Sequence, residues 1–281
     1  MSLPAALARS LDLLCCPTCR TDRLHPDRGA LRCARGHSFD IARHGYAGLL
    51  TGTRAASGDD PAMVRARDRF LSTGAYAPVR AVGAQLAAGA APERATVVDV
   101  GCGTGYYLAG VLDRLPGARG LGLDTSVRAL RAAARAHDRA AAVAWDVFRP
   151  FPLADGVADV VLDVFAPRNP AEFHRVLRPA GRLVVVRPTG RHLSELRDRW
   201  PAAVTVDPAK EQRLRRALAP RFEAVVTEQV EYSAPLTGPD VLDLVAMTPT
   251  ARHLNPATAD AGGSLPDQVT VSVLATAYRR R

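Results

Sequence analysis

From Ala95 onward, short apolar runs alternate with helical stretches, and this alternation constrains the fold more than any other feature of the sequence. Strands and helices that alternate at this spacing form a parallel sheet with helices on both faces. Helical stretches at 107–115 and 127–137 separate the first three apolar runs. The predicted buried strands are 96–100, 120–124, 141–146, 158–165 and 182–187.

The pattern changes on either side of this region. Segments 222–232 and 269–278 alternate apolar and polar residues without a helix directly after each, as an antiparallel pair does. Segment 61–90 shows two helical apolar stripes, broken at Gly74 and Pro78. The predicted organisation is a module at 12–50, a linker and helical segment at 51–94, and a catalytic domain at 95–281.

The N-terminal module is marked by a cysteine and histidine cluster. Cys16 and Cys19 form a CxxC pair, and Cys33 and His37 follow as CxxxH. Three thiolates and one imidazole complete a tetrahedral zinc shell with no position left for water, which predicts a structural metal. A redox CxxC pair and a chance cluster are the alternatives. Cys15 is expected to lie beside the site and not in it.

A glycine-rich loop follows the first predicted strand and opens a helix. Gly101, Gly103 and Gly105 allow a sharp turn and close approach of the backbone to a ligand. Dinucleotide-binding loops use a similar device, but Tyr106 stands where their fingerprint needs a third glycine. The spacing therefore favours S-adenosylmethionine over NAD.

Three aspartates lie at or near the carboxyl ends of successive predicted strands, and those ends meet at one crevice. Asp99 suits the amino group of a methionine moiety, and Asp124 is placed to accept hydrogen bonds from ribose hydroxyls. Asp146 is placed to meet the adenine amino group. Each alone is typical of a strand-end turn, but together they predict a binding site for S-adenosylmethionine.

The charge of +9 favours an anionic partner, nucleic acid first. Because Lys210 is the single lysine, a GC-rich codon bias toward arginine is an equally good explanation of the charge. No apolar run reaches the length of a membrane span, and no secretory leader pattern is present. We therefore expect no membrane association and, with the local cysteine cluster, a cytoplasmic protein.

Beyond the zinc motif and the glycine loop, further short motifs run along nearly the whole chain. They are Gly36-His37-Ser38-Phe39-Asp40, Arg43-His44-Gly45-Tyr46, Leu49-Leu50, Gly58-Asp59, Arg67 to Phe70-Leu71, Gly74, Tyr76, Pro78, Phe165-Ala166-Pro167-Arg168-Asn169, Arg191-His192-Leu193 and Met247-Thr248-Pro249. In this order, the motifs resemble those of the bacterial 23S rRNA (guanine-N1)-methyltransferases. The Phe-Ala-Pro-Arg-Asn run is similar to the Gram-positive branch, some members of which confer resistance to tylosin-type macrolides.

The resemblance implies a Rossmann-like class I methyltransferase fold, with a mostly parallel seven-stranded sheet and a small zinc module. It implies methylation of N1 of a guanine in a 23S rRNA hairpin near the peptide exit tunnel, and a homodimer. It also implies additional cofactor-pocket residues: Tyr76, Tyr107, Leu108 and His192. Two positions depart from the family pattern, since Gly48 replaces an Asn and Arg252 replaces a Trp.

For the target base, Arg168 and Asn169 are the candidate positioning residues, near the end of the fourth predicted strand together with Asp163. A hydrogen bond to the guanine carbonyl oxygen favours loss of the N1 proton. The zinc module is predicted to contact RNA through its arginines, Arg20, Arg23, Arg28, Arg32 and Arg35. The alternative is that the module only packs on the catalytic domain. A small-molecule methyltransferase and a non-catalytic zinc-dependent RNA-binding module are the rival functions.

Overall fold

The structure is a computed structural model that describes residues 3–20, 23–52, 59–89, 91–200, 212–213, 216–248 and 265–281. Most of the predicted linker (53–58) and the position of Arg252 lie outside these ranges. Within the described ranges, no helix combines the length and the apolar character needed to cross a bilayer.

The N-terminal module is small and built from short elements. Helix α1 (Ala5–Ala8) and a 3-10 turn (Leu11–Leu13) precede a three-stranded antiparallel sheet. That sheet consists of β1 (His25–Asp27), β2 (Ala30–Arg32) and β3 (Ser38–Asp40). Strands of three residues bury little apolar surface of their own, so the module needs support from a metal and from the larger domain.

Two helices lie between the module and the main sheet. The Asp60 side chain caps α2 (Pro61–Ser72) by accepting hydrogen bonds from the backbone N–H groups of Ala62 and Met63. The predicted break follows, because Gly74 takes a left-handed conformation with φ of 81°. Helix α3 (Ala77–Ala88) then begins with Pro78 in its first turn.

The main sheet has the order β10-β11-β9-β8-β5-β6-β7-β4. Pairing is parallel from β9 to β4 and antiparallel at β10, β11 and β9. The strands are β4 (Ala47–Gly48), β5 (Thr96–Val100), β6 (Arg119–Asp124), β7 (Ala140–Ala144), β8 (Ala158–Val164), β9 (Leu177–Pro188), β10 (Phe222–Pro235) and β11 (Gln268–Arg280). The strand order reverses between β5 and β8, where ligands bind in open α/β sheets.

The remaining helices follow the strands. They are α4 (Tyr106–Arg114), α5 (Val127–Ala133), α6 (Pro170–Val176), α7 (Ser194–Arg199) and α8 (Gly238–Ala246). The predicted seven-stranded sheet is confirmed, and the two-residue strand β4 adds an eighth at its edge, parallel to β7. Helix α5 ends four residues before the predicted 137, and β9 begins five residues before the predicted 182.

The N-terminal module packs on one face of this sheet, and α2, α3 and α8 pack on the other. Leu14 of the module pairs with Leu153, and the backbone N–H of Cys15 donates to the carbonyl of Pro152 at 2.9 Å. Leu31 and Phe39 join the same buried cluster as Val98 and Val161 of the central strands. The module therefore shares a core with the larger domain, and its folding depends on that contact.

Candidate cofactor crevice and zinc centre

The glycine loop is fixed to the neighbouring strand by backbone hydrogen bonds. The N–H groups of Gly101 and Cys102 donate to the carbonyl of Leu123 at 2.8 and 3.0 Å, and Gly103 N–H donates to the Asp124 carboxylate at 2.9 Å. All three predicted glycines have positive φ, at 74°, 53° and 83° in chain order. The loop thus adopts a conformation that strongly favours glycine.

Close packing gives two of these glycines a second constraint. A Cβ on Gly101 would lie 2.6 Å from the Cβ of Ala166, in the loop that follows β8. A Cβ on Gly105 would lie 2.9 Å from the Cβ of Ala136, beyond the end of α5. The glycines therefore allow this loop to touch both the loop that follows β8 and the end of helix α5.

Asp99, near the end of β5, and Asp124, at the end of β6, both adjoin this loop. Asp99 is buried, its Oδ2 has no hydrogen-bond partner, and burial raises its pKa well above the usual value. Asp124 accepts from the Ser126 N–H at 2.8 Å and from Gly103, and burial raises its pKa as well. An unpartnered buried carboxylate oxygen beside a glycine cradle fits a ligand that brings a donor, such as an ammonium group.

Two further predicted residues adjoin the same crevice. In the first turn of α4, the backbone N–H of Leu108 donates to the Asp99 carboxylate. This hydrogen bond lowers the pKa of Asp99, whereas burial raises it. Asp146 follows β7, and its Oδ1 accepts from the Phe148 N–H at 3.0 Å. The Asp146 carboxylate thus lies at the strand end where the sequence predicts it.

An aromatic wall lies on the α3 side of the crevice. The Tyr76 hydroxyl lies 3.1 Å from His192 Nε2, which joins two residues 116 positions apart in the chain. The Phe165 ring stacks on His192 with centroids 5.8 Å apart, and it also contacts Tyr76 and Tyr107. Three of the four residues implied by the resemblance, Tyr76, Tyr107 and His192, are therefore brought together.

The hydrogen bonds of His192 fix its tautomer. Its Nδ1 accepts from the Ser272 N–H at 3.2 Å, so in the neutral ring the proton lies on Nε2 and is donated to Tyr76. Burial, assisted by the Arg197 charge, lowers the pKa of His192 to about 4. The imidazole is therefore neutral at physiological pH and acts as a fixed donor.

Next to the crevice, the loop after β8 carries the candidate target-base residues. Arg168 Nε lies 3.2 Å from Asp163 Oδ1, and Asp163 is fully buried. Burial raises the pKa of Asp163 to about 7 against the opposing charge of Arg168. The amide of Asn169 is occupied locally, since Oδ1 accepts from Glu172 N–H at the start of α6 and Nδ2 donates to the Val147 carbonyl at 3.0 Å.

Two residues near the crevice were given no chemical role by the sequence reasoning. Arg67 of α2 is ion-paired with Asp59, donates to the Met247 carbonyl at 2.9 Å and approaches Gly103. Phe165 has a φ of 55°, unusual for a bulky residue, and 38% of its surface is exposed. The resemblance includes both Phe165 and Arg67 but assigns neither of them a role.

The four predicted zinc ligands converge in the N-terminal module. Their ligand atoms all lie within 4.8 Å of one another. Cys19 Sγ lies 3.9 Å from Cys33 Sγ, and His37 Nδ1 lies 3.6 Å from Cys16 Sγ and 3.3 Å from Cys33 Sγ. A tetrahedral zinc with sulfur ligands at about 2.3 Å requires sulfur–sulfur distances of about 3.8 Å. The residues therefore fit a structural zinc ion.

Comparison with known proteins agrees with both sites. A zinc-ribbon profile described as "RlmA, N-terminal" matches residues 14–54, and a methyltransferase-domain profile matches residues 97–181. The 23S rRNA (guanine(748)-N(1))-methyltransferase of Streptomyces fradiae is 45% identical over 271 residues, covering 94% of this chain and 95% of that protein.

The chain belongs to the 23S rRNA (guanine-N1)-methyltransferase family.

Further relatives extend the comparison. A Micromonospora griseorubida protein, provisionally named a 23S rRNA (guanine-N1)-methyltransferase, is 45% identical over 284 residues and covers 95% of this chain and 96% of its own. Among solved structures, the complex of the Haloferax volcanii Trm112 methyltransferase activator with a methyltransferase matches with a TM-score of 0.52 and 21% identity. That match covers 79% of this chain and 99% of the other. At this identity it shows the fold alone.

The zinc geometry of this family member predicts a selective effect of single cysteine substitutions. Cys19→Ser removes one thiolate of the cluster and should abolish stoichiometric zinc binding and lower Tm by about 10 °C. Cys15→Ser, outside the cluster, should retain zinc and change Tm little. Zinc content by mass spectrometry and thermal unfolding measure both. Retention of zinc by Cys19→Ser would exclude the assigned ligand set.

The contact at Gly101 predicts a loss of cofactor affinity. Gly101→Ala combines a positive φ with a 2.6 Å clash, so S-adenosylmethionine affinity should fall at least about tenfold. The matched control is Gly190→Ala, since a Cβ there meets open space at an ordinary φ. Isothermal titration calorimetry measures both affinities. Equal affinity for Gly101→Ala and wild type would show that the loop is not the cofactor cradle.

Neutral His192 predicts a pH dependence of stability. The unfolded imidazole binds a proton near pH 6.5, whereas the folded one does so only near its pKa of about 4. The free energy of unfolding should therefore decrease as pH falls through this window, by up to about 1.4 kcal/mol per pH unit. Urea unfolding should show a shallower decrease for His192→Asn. Parallel decreases in both proteins would contradict a buried neutral imidazole.

Proposed function

We propose that this chain transfers a methyl group from S-adenosylmethionine to N1 of a guanine in a 23S rRNA hairpin near the peptide exit tunnel. The observation that carries the proposal is the crevice at the strand-order reversal, where an unpartnered buried Asp99 oxygen adjoins a close-packed glycine loop. Family membership supplies the substrate, because the Streptomyces fradiae relative is named for guanine 748 of 23S rRNA. Macrolide resistance is the proposed physiological consequence.

The residues proposed to hold S-adenosylmethionine surround one crevice. When bound, S-adenosylmethionine supplies a methyl group on a sulfonium, which is a good leaving group. Catalysis of the transfer therefore needs little beyond correct placement of the nucleophile. Asp99 would accept a hydrogen bond from the amino group of S-adenosylmethionine, Asp124 from the ribose and Asp146 from adenine, while His192 holds Tyr76 beside the crevice. The full proposed set is Tyr76, Asp99, Gly101, Gly103, Gly105, Tyr107, Leu108, Asp124, Asp146 and His192.

Guanine N1 carries a proton at neutral pH, and that proton must leave for solvent before attack. We propose that Arg168 donates to the guanine carbonyl oxygen and stabilises the deprotonated base. Its Nε lies 3.2 Å from Asp163 Oδ1 as an ion pair without hydrogen-bond geometry, and no hydrogen bond joins its terminal nitrogens to a residue that the structure describes. Those nitrogens are therefore available for the base.

Asn169 supports Arg168 indirectly in this proposal. Its amide joins the start of α6 to the Val147 carbonyl, which follows β7. This bond holds the loop after β8 against the loop after β7, on the side where Asp146 lies. Asn169 thus positions Arg168, and its own donors are already used.

The zinc module has a structural role in this proposal. A zinc ion is held there by Cys16, Cys19, Cys33 and His37. The chain acts in the cytoplasm, where ribosomal RNA lies. The division into a zinc module (12–50), a linker and helical segment (51–94) and a catalytic domain (95–281) is supported by the two profile matches. A homodimer is proposed from the family resemblance alone.

The role of Arg168 predicts a loss of turnover without a loss of cofactor affinity. Arg168→Lys keeps a charge beside Asp163 but lacks the planar fork, so methyl incorporation into unmodified 23S rRNA should fall about 100-fold in kcat. Arg168→Ala should fall at least as far. The control is Arg114→Ala, at the end of α4 farthest from the glycine loop. Labelled-methyl incorporation at saturating RNA measures the effect, and a native rate in Arg168→Ala would remove the residue from the mechanism.

A further inference from the structure

A cluster of cationic side chains covers a surface shared by the N-terminal module and the catalytic domain. We call it the arginine face and define it by Arg43, His44, Arg128, Arg131 and Arg135. Arg43 and His44 occupy the turn between β3 and β4, Arg128 and Arg131 lie one turn apart on α5, and Arg135 follows the end of that helix. Sequence spacing alone does not bring residue 43 to residues 128–135.

Apolar contacts hold the turn between β3 and β4 against α5, and a backbone hydrogen bond closes the turn itself. A Cβ on Gly45 would lie 3.6 Å from the Cβ of Ala134. Tyr46 and Leu50 pack against a buried cluster that includes Leu130 of α5. The turn itself is closed by the Gly45 N–H, which donates to the Ala42 carbonyl at 2.9 Å. The face is therefore fixed by folding, and its charges are held close together.

The charge of the arginine face is not balanced. Among the described residues, no carboxylate forms an ion pair with any of its four arginines, whereas Arg119 is paired with Asp12. Arg43 Nε approaches His44 Nε2 at 3.3 Å, and Arg131 Nε is buried without a hydrogen-bond partner.

The pKa of His44 reflects the surplus of positive charge around it. Local desolvation and then the charges of Arg131, Arg43, Arg135 and Arg128 lower the pKa of His44. One opposing group is Asp68 of α2: burial raises its pKa, and the charge of Arg135 lowers it. Four like charges kept together without an ion-paired carboxylate repel one another, which is tolerated where an anionic partner supplies the balance.

The arginine face also lies next to the crevice. Helix α5 packs on the cofactor loop, because a Cβ on Gly105 would meet Ala133 and Ala136. Its N-cap Ser126 donates to the Asp59 carbonyl at 2.9 Å, and Asp59 pairs with Arg67 beside the loop. One helix therefore separates the unbalanced charges from the proposed methyl-transfer site.

We infer that the arginine face binds the phosphate backbone of the RNA substrate, where the turn of the zinc module meets the end of α5. This inference rests on the proposed function and names the surface that positions the RNA. Phosphates along one strand present a closely spaced row of negative charges, and arginine is suited to pair with them. Recognition of the hairpin by its backbone leaves the target base free to unstack into the crevice. The zinc module thus contributes Arg43 and His44 to the RNA surface.

The test compares two charge-matched double variants of the full-length, zinc-loaded protein. Arg128→Gln with Arg135→Gln removes two charges from the arginine face. Arg94→Gln with Arg114→Gln removes two from the end of the sheet where β5 begins, and neither of these arginines is paired with a described carboxylate. Fluorescence anisotropy with an unmodified 23S rRNA hairpin measures Kd from about 50 to about 200 mM salt. Unchanged S-adenosylmethionine affinity by calorimetry verifies that both variants are folded.

The arginine-face variant should bind the hairpin at least about tenfold more weakly, with the slope of log K against log salt reduced by about two. The control variant should match wild type. If the two variants behave alike, or if Arg20→Gln with Arg28→Gln produces the loss instead, the arginine face is not the RNA surface. Failure of the wild-type protein to bind the hairpin at all would overturn the proposed function, which is a distinguishable result.

Discussion

The glycine loop between β5 and α4 is the contact on which the other parts of the site depend. Its N–H groups bind the Leu123 carbonyl and the Asp124 carboxylate, and its lack of side chains brings it against Ala166 on one side and the end of α5 on the other. Through these contacts, one loop fixes the positions of the Asp99 and Asp124 carboxylates, the Phe165–Asn169 segment and the arginine face relative to one another. A side chain at Gly101 would separate the loop from Ala166 and disturb all three.

The zinc module is joined to the same sheet and to helix α5. Its β4 extends the main sheet beside β7, its leucines share a core with the central strands, and its turn carries Arg43 and His44 onto α5. A module too small to fold on its own is thus stabilised in two ways, by the metal and by the sheet. The consequence for function is that loss of zinc affects the proposed RNA surface as well as stability.

Features that depend on local chemistry could be predicted from the sequence. The zinc ligands are paired within short loops, and the strands are continuous apolar runs, so both are readable without the fold. Strand β4 could not be predicted, because two residues carry no periodicity and pair only through the tertiary structure. The seven-residue helix α6 was missed for a similar reason. The Asp163–Arg168 pair depends on the path of the loop directly after β8, and the arginine face depends on a contact between segments distant in sequence. The sequence predicts Asn169 near the base, whereas in the structure local hydrogen bonds occupy its amide.

The central claim is that this crevice methylates N1 of one guanine in 23S rRNA. The most direct measurement is primer extension on unmodified 23S rRNA after incubation with zinc-loaded protein and labelled S-adenosylmethionine. Methylation at N1 blocks base pairing, so the account predicts label in the RNA and a new stop at a single guanine of the exit-tunnel hairpin. No label and no stop, from protein shown to bind the cofactor, would contradict the account and favour a small-molecule substrate.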